Sequence, residues 1–597
     1  MTEAASPQPQ GKYPWSNKYP VDIDWDMEVP VSTMTQMFED SVKKNADKPA
    51  LNFMGKVLTY KELGQEVDKF AKGLQDAGFG KGSHVGLCLP NTPFYVIAYY
   101  GALKAGATVV NFNPLYAEQE MRGQINDSKT DVMVSLAVTK IQPKIDKMLD
   151  GTTCLKKVIV ADLADALPGV KGFAYKVLNT VKGWFGKADT VKVKSDDKHI
   201  PFSKLMKNKG NPAPVDVKPT DLAVLQYTGG TTGIPKAAML THANLSANLN
   251  QADFWFTSGS PKNPGKQEKM LVVLPFFHVF SMTVQMNLSI KLGAEIVMLP
   301  QFDAKTTLKT IDAEKPTMFA GVPTLYKALM DHPDVKKYDL SSLKICLSGG
   351  AGLPETTQTR WTNLTGTALT EGYGLSETSP IAVANPVHGE KKLNSIGMPL
   401  PKTEVKIANL EFPDQACPIR MEGEICLRGP QVMQGYWNRA DETANVMDKD
   451  GYFHTGDVGY MDEEGYIFIV DRIKDMINAS GLKVFPRKVE EAIMQHPNVS
   501  EVIVLGVKDE YRGETVKAFI VYKPEAGKID DKTMTAFLRD KLAPYEMPKQ
   551  FETRDSLPKT MIGKPDKKAL KQEEAAKEAA KEAAKAKTPP AAKPPKP

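Results

Sequence analysis

Between His84 and Ala137 the chain reads HVGLCLPNTPFYVIAYYGALKAGATVVNFNPLYAEQEMRGQINDSKTDVMVSLA. Three short β-branched runs, HVGLCLP (His84–Pro90), ATVVNFN (Ala107–Asn113) and DVMVSLA (Asp131–Ala137), are separated by the helical stretches Thr92–Lys104 and Ala117–Asn126. Strands alternating with helices imply a parallel sheet covered by helices, so the expected fold class is α/β. Upstream, Thr35–Gly80 reads as helical at both ends, with ALNFMGKVLTY (Ala50–Tyr60) forming a hairpin around Met54-Gly55-Lys56. Downstream the alternation returns at KMLVVLP (Lys269–Pro275), GAEIVML (Gly293–Leu299), TMFAGVP (Thr317–Pro323) and LKICLSGG (Leu343–Gly350).

Past Ser395 the texture changes to shorter strands and tight turns (TEVKIAN, GEICLRG, EEGYIFIVDR), and after Arg472 a compact α+β pattern follows. The expected organisation is an irregular arm over 1–30 and a large domain over 31–473, built of parallel and mixed sheets with flanking helices plus a β-rich subdomain. A small α+β domain over 474–570 and a tail over 571–597 complete it. With 597 residues the chain is long enough for several structural units at roughly 150 residues each. It needs neither disulfide nor metal to hold a core.

A formal net charge of +5 against 76 basic and 71 acidic residues argues neither for a nucleic-acid partner nor for a strongly anionic one, and no nucleic acid is expected. Cys88, Cys154, Cys346, Cys417 and Cys426 are scattered and lack CxxC spacing, which fits reduced thiols rather than a disulfide framework or a zinc site. The start lacks an apolar h-region, and no run approaches 18 apolar residues. A cytoplasmic protein is expected, or one resting on the inner face of the cell membrane. Nothing in the sequence fixes its oligomeric state.

Two segments stand apart. In FAYKVLNTVKGWFGK (Phe173–Lys187), Phe173, Val177, Val181 and Trp184 recur at helical spacing among Lys176, Lys182 and Lys187. Two readings fit: a helix packed on the protein's own core, which Gly183 and Gly186 favour, or an interfacial helix with aromatic and basic anchors. The C-terminal EEAAKEAAKEAAKAK reads as a solvated helix supported by Glu574/Lys577, Glu578/Lys581 and Glu582/Lys585, followed by a proline-rich extension.

The chemistry is marked by YTGGTTGIPK (Tyr227–Lys236), which follows the strand candidate DLAVLQYT and precedes the helix-like Ala243–Phe256, with Thr241 as N-cap. Glycines let backbone N–H groups turn inward, threonine hydroxyls add donors and a lysine adds charge, so the segment suits phosphate. It is not a Walker A loop: Ile234 and Pro235 separate Gly233 from Lys236, and Ala237 follows.

YTGGTTGIPKAAMLTH resembles the nucleotide-binding signature of the adenylate-forming enzymes. Matching motifs follow in order: LPFFHVF (Leu274–Phe280), SGGAGLP (Ser348–Pro354), EGYGLSET (Glu371–Thr378), HTGDVGYMDEEGYIFIVDRIKDMI (His454–Ile477) and LPKTMIGK (Leu557–Lys564). The resemblance covers about 30–570, and the wording of EGYGLSET and GPQVMQGYWNR (Gly429–Arg439) is most similar to bacterial long-chain fatty acyl-CoA synthetases. It implies that a carboxylate attacks the α-phosphate of ATP, releasing pyrophosphate, and that the thiol of coenzyme A then displaces AMP. The alternatives are a medium-chain or aryl-acid CoA ligase, an acyl-AMP ligase loading a carrier protein, or a non-catalytic nucleotide or lipid binder.

The resemblance also implies residue roles. Thr228, Gly229, Gly230, Thr231, Thr232, Gly233 and Lys236 would hold the β- and γ-phosphates, and Glu377 a Mg²⁺ ion. Gly349, Gly350, Ala351, Glu371, Gly372, Tyr373, Gly374 and Ser376 would line the nucleotide, with Tyr373 stacking. Asp457 and Arg472 would contact the ribose, and Lys564 would bridge carboxylate and α-phosphate. His278 would stand near the acyl carboxylate. Phe276, Phe277, Gly321, Val322 and Pro323 would line the acyl channel, Gly321 leaving room for the chain. Lys474 would be the hinge of a mobile C-terminal domain, and Gly481 would approach coenzyme A. The sequence departs from the family at Ser281, usually glycine; at Arg487 and Lys488, where an acid is common; and at Pro565, which holds Lys564 extended.

Overall fold

The computed structural model describes residues 13–184, 189–228, 235–259, 266–479, 482–509, 513–559 and 565–586. The chain divides into two compact units, Met1–Lys406 with Cys426–Thr455 and Met461–Phe468, and Ile407–Ile425 with Gly456–Tyr460 and Ile469–Pro597.

The first unit holds two large sheets. One has seven strands in the order His199–Pro201, Lys157–Ala161, Val132–Leu136, His84–Cys88, Thr108–Asn111, Leu222–Thr228 and Lys236–Thr241. All neighbours are parallel except the last pair, which is antiparallel. The other has nine strands, with Ile345–Gly349, Met318–Gly321, Lys269–Val272 and Glu295–Met298 consecutive at its centre. These central neighbours are parallel, while antiparallel pairs close both ends. Strands covered on both faces bury every residue, as Thr108–Asn111, Val132–Leu136 and Glu295–Met298 do. The helix Pro93–Lys104 opens on proline and is buried from Pro93 to Leu103. Tyr95 on that helix ties the two sheets: its hydroxyl lies 2.6 Å from Asn111 Oδ1 and 3.0 Å from the Phe276 carbonyl.

The second unit contains a five-stranded sheet ordered Leu482–Val484, Ile477–Ala479, Gly513–Tyr522, Val499–Asp509, with Gln550–Thr553 added parallel to Gly513–Tyr522. Helices Pro486–Met494 and Asp531–Leu538 pack Val489, Ile493, Met534 and Leu538 against Val504, Val516 and Ile520. The departures at Arg487 and Lys488 are accommodated by acids, since Arg487 pairs with Glu491 at 2.9 Å and Lys488 with the buried Glu546 at 2.6 Å. All five cysteines are free.

Two expectations change, and the irregular arm proves to be tied down. The N-terminal arm is anchored: Trp15 and Trp25 are buried, and Trp25 Nε1 donates to the Thr403 carbonyl at 3.0 Å. The C-terminal helix is not solvated throughout. It begins at Lys567, packs Leu570 with Ile503, Leu505 and Phe519, and pairs Glu574 with Lys517 as well as with Lys577. The segment after Pro168 does form a helix, Gly169–Trp184, but it turns apolar side chains outward instead of packing them on the protein's own core. No helix among the described residues is long and apolar enough to cross a membrane.

One buried group makes stability depend on pH. His242, which Thr241 caps as expected, is 2% exposed and accepts the Met34 N–H on Nδ1 at 3.1 Å. Burial lowers its pKa from 6.5 to about 4. The unfolded chain therefore binds the extra proton first, so this contribution is full above pH 6.5 and is lost as pH falls toward 4. At pH 5 the loss amounts to about 2 kcal/mol. Urea unfolding should show that much less pH sensitivity between pH 7 and 5 in His242→Gln than in the wild type.

Candidate active site

The glycine-rich motif lies between two strands rather than between a strand and a helix. Thr228 and Lys236 face each other across the antiparallel pair that ends the seven-stranded sheet, and KAAMLT, unassigned from sequence, is the returning strand. Lys236 therefore stands at a sheet edge. Gly229, Gly230, Thr231, Thr232 and Gly233 lie outside the described residues, as do Gly481 and Lys564.

The segment Gln434–Trp437 lies beside the Lys236–Thr241 strand: Met239 N–H donates to the Gly435 carbonyl, Trp437 N–H to Ala237, and Tyr436 bridges Ala238. This register presents Tyr436 to two expected site residues at once. Its hydroxyl donates to Glu377 Oε1 at 2.8 Å, and its ring lies 5.3 Å from Lys236 Nζ. Lys236 is also paired with Glu442. Burial first, then the Glu377 charge, push the Tyr436 phenol far above its ordinary pKa, so it stays a proton donor. Glu377 is 8% exposed on the short turn Ser376–Thr378, and its own carbonyl accepts the Met433 N–H at 2.8 Å. Backbone and side chain of this glutamate are thus both fixed by GPQVMQGYWNR.

On the nine-stranded sheet, Ser348 pairs with Glu371 and Gly349 with Gly372. Glu371 is buried, and its Oε1 accepts the Leu353 N–H at 2.9 Å, fastening the Gly350–Ala351 loop to the strand beside it. Gly350 has φ +79°, where a side chain is strained. Tyr373 pairs with Val383, and a Cβ at Gly374 would lie 1.7 Å from the Pro380 carbonyl oxygen, so only glycine fits there.

The turn carrying Phe276, Phe277 and His278 is held by buried amides. Asn91 Nδ2 donates to the Leu274 carbonyl and its Oδ1 accepts the Phe276 N–H; Gln226 Nε2, two residues before Thr228, donates to the Phe277 carbonyl at 3.1 Å. His278 Nδ1 accepts the Phe280 N–H at 3.3 Å, which places the neutral ring's proton on Nε2. A π-helical turn, Ser281–Asn287, follows. Ser281 is fully buried and lies within hydrogen-bonding reach of the Leu274 carbonyl and Gln285 Oε1, so its hydroxyl serves packing of this turn. The expected space at Gly321 is not open along its side-chain direction: a Cβ there would meet the Tyr326 ring at 3.1 Å. Val322 and Pro323 begin the helix Pro323–Met330.

These segments close a circuit. Gln226 leads to Phe277, Phe280 approaches Gly349 (3.3 Å from an added Cβ), Gly349 pairs with Gly372, and Glu377 leads through Tyr436 back to Lys236. In the second unit Arg472 Nε and Asp457 Oδ1 pair at 2.9 Å. Beside them burial, then the Arg472 charge, lower the pKa of Lys474. Asn91, Tyr95, Asn111, Gln226, Tyr436 and Glu442 were not singled out from sequence. The GYWNR run holds Tyr436, and Asn111, Gln226 and Tyr95 lie in strand and helix runs that carried no functional mark.

A strand edge bearing Lys236, a buried carboxylate and a glycine-lined ledge thus lie in one circuit. Residues 38–437 match the AMP-binding enzyme family and residues 488–564 the AMP-binding enzyme C-terminal domain. The chain belongs to this family. It is 43% identical over 568 residues to a long-chain-fatty-acid–CoA ligase of Bacillus subtilis (strain 168), covering 95% of this chain and 99% of that one. A feruloyl-CoA synthase of an Amycolatopsis species is 33% identical, with 86% and 94% covered. Among solved structures, ATP-bound MatB from Rhodopseudomonas palustris superposes with a TM-score of 0.78 at 26% identity, over 91% of this chain and 99% of that chain.

Tyr436→Phe tests the new contact. Removing a hydrogen bond to a charged group costs about 1.5–3 kcal/mol, so kcat/KM for ATP should fall about tenfold or more. The magnesium dependence should shift to higher concentration.

Proposed function

We propose that this enzyme activates a long-chain fatty acid in two steps. The acid's carboxylate attacks the α-phosphate of ATP, forming acyl-AMP and expelling pyrophosphate; the thiolate of coenzyme A then attacks the acyl carbonyl and AMP leaves. The single observation that carries the reading is the circuit from Lys236 through Tyr436 to Glu377, set beside near full-length similarity to a long-chain-fatty-acid–CoA ligase.

The first step needs no general base, because a carboxylic acid of pKa about 4–5 is ionised at neutral pH. Its obstacle is anion against polyanion, met by cations and oriented donors. Lys236 supplies charge to the β- and γ-phosphates, with the 229–233 segment supplying donors. ATP competes with Glu442 for Lys236, so the lysine is kept oriented before substrate arrives. A carboxylate oxygen fixed by Tyr436 suits Mg²⁺, a hard cation shared with phosphate oxygens. Bound there, the ion would neutralise phosphate charge. Gly349–Ala351, Glu371–Gly374 and Ser376 line the nucleotide; Asp457 and Arg472 take the ribose hydroxyls, and Lys564 bridges carboxylate and α-phosphate. His278 presents Nε2–H toward the acyl carboxylate, and Phe276, Phe277 and the Gly321–Pro323 backbone border the acyl chain. Lys474 is the hinge between the two steps, and Gly481 approaches coenzyme A.

A panel of C6–C18 and aryl acids, with pyrophosphate and AMP release measured with and without coenzyme A, tests this reading. Long-chain acids should give the highest kcat/KM and coenzyme A should release AMP. Preference for an aryl acid, or AMP retained with coenzyme A present, would sink it. Because such acids dissolve mainly in bilayers, we also place the enzyme in peripheral contact with a membrane.

A further inference from the structure

The helix Gly169–Trp184 turns apolar side chains away from the domain that carries it. Val170, Phe173, Val177 and Leu178 are 85, 72, 47 and 53% exposed. The side turned inward holds Gly172 and Asn179. A Cβ at Gly172 would sit 2.6 Å from the Ala164 carbonyl oxygen, and Asn179 accepts the Asp189 N–H and donates to the Tyr175 carbonyl, both at 3.1 Å. A surface helix normally buries the apolar stripe and wets the polar one. This one leaves its apolar side chains in the open.

A second element extends the exposed surface. The hairpin of Pro49–Phe53 and Lys56–Thr59 brings up Met54 and Val57, 47 and 45% exposed, and Lys171 Nζ fastens it to the helix by donating to the Met54 carbonyl at 2.9 Å.

The charge around this surface selects its occupant. From Leu167 to Ala188 the chain holds Lys171, Lys176, Lys182 and Lys187 and not one acid. Lys171 and Lys56 donate to backbone carbonyls, those of Met54 and Asp165, contacts that leave their charge uncompensated. At the margin Lys182 pairs with Asp189 at 2.8 Å, and Asp165 is exposed. Apolar side chains framed by lysines match the acyl boundary and phosphates of an anionic bilayer. A second copy related by a twofold axis would cover the apolar side chains but set lysines against lysines.

We propose that this face docks the enzyme on an anionic lipid bilayer, with Phe173 and Val177 entering the acyl boundary and Lys171 and Lys182 at the phosphates. The docking names the surface for the membrane contact inferred above, and its test is separable from the ligase assay.

The full chain should float with vesicles of phosphatidylglycerol and phosphatidylcholine, and less with phosphatidylcholine alone or at high salt. Phe173→Ser/Val177→Ser alters only exposed positions and should lower the partition coefficient about tenfold or more. Lys171→Gln should lower it about fivefold. Both variants should keep the wild-type melting temperature and thioester formation from soluble decanoic acid. No flotation of the wild type, or equal flotation of the double variant, overturns the proposal. So does a dimer that the double variant dissolves without any vesicle binding, which would assign the face to self-association. If no acid yields a thioester while flotation behaves as stated, the ligase reading fails and the docking surface stands.

Discussion

Lys564→Ala should lower acid-dependent ATP–pyrophosphate exchange by about 10²–10³-fold, while ATP binding persists. This is the largest effect expected of any single exchange. In the first step negative charge accumulates between the attacking carboxylate and the α-phosphate, and a cation aimed there acts on the transition state more than on bound ATP. The variant should therefore lose kcat with little change in nucleotide affinity. Coenzyme A transfer from preformed acyl-AMP should survive, because that step has a different distribution of charge. The measurement is pyrophosphate exchange beside single-turnover thioester formation from synthetic acyl-adenylate. Exchange at the wild-type rate would remove Lys564 from the first step. Equal loss of both steps would point to damage of the second unit instead. Lys559 and Pro565 bridge each other on either side of the segment that carries the lysine.

Glu377→Gln should be next in size, lowering kcat/KM for ATP by about 10²-fold. The exchange keeps the shape and can still accept from Tyr436, but it removes the charge that would hold a divalent cation against phosphate. Titrating activity with magnesium separates two outcomes. A lost ion site shifts the midpoint upward and leaves partial activity at saturation, whereas a collapsed turn leaves none and lowers the melting temperature. Tyr436→Phe should move the same midpoint by less, since it loosens the carboxylate without discharging it. Agreement in direction between these two variants, with unequal size, is the signature of a carboxylate positioned by a phenol.

The α/β class was legible because each run from HVGLCLP to LKICLSGG is short, β-branched and flanked by helical spacing, and strands occur at each of them. Thr241 could be read as a cap because its partner, Asn244, is three residues away. Tyr436 could not be read in this way. Its link to Glu377 spans 59 positions, and the Lys236–Glu442 pair spans 206. The amides of Asn91 and Gln226 that hold the LPFFH turn are ordinary polar residues in strand and loop until the sheets bring the turn against them. The crowding along the side-chain direction of Gly321 was hidden for a related reason. An absent side chain suggests space, but the Tyr326 ring folded back from the following helix fills it.

The sequence by itself determined the alternation of strands and helices, the glycine-rich phosphate loop and the order of motifs along the chain, all features set by residues within a few positions of one another. Tertiary structure decided which polar groups meet across hundreds of residues, that the phosphate loop turns back into a strand, and which way the Gly169–Trp184 helix faces. Periodicity locates an apolar stripe but carries no sign. The exposure of Phe173 and Val177, opposite the buried Gly172 and Asn179, shows that this part of the stripe looks outward.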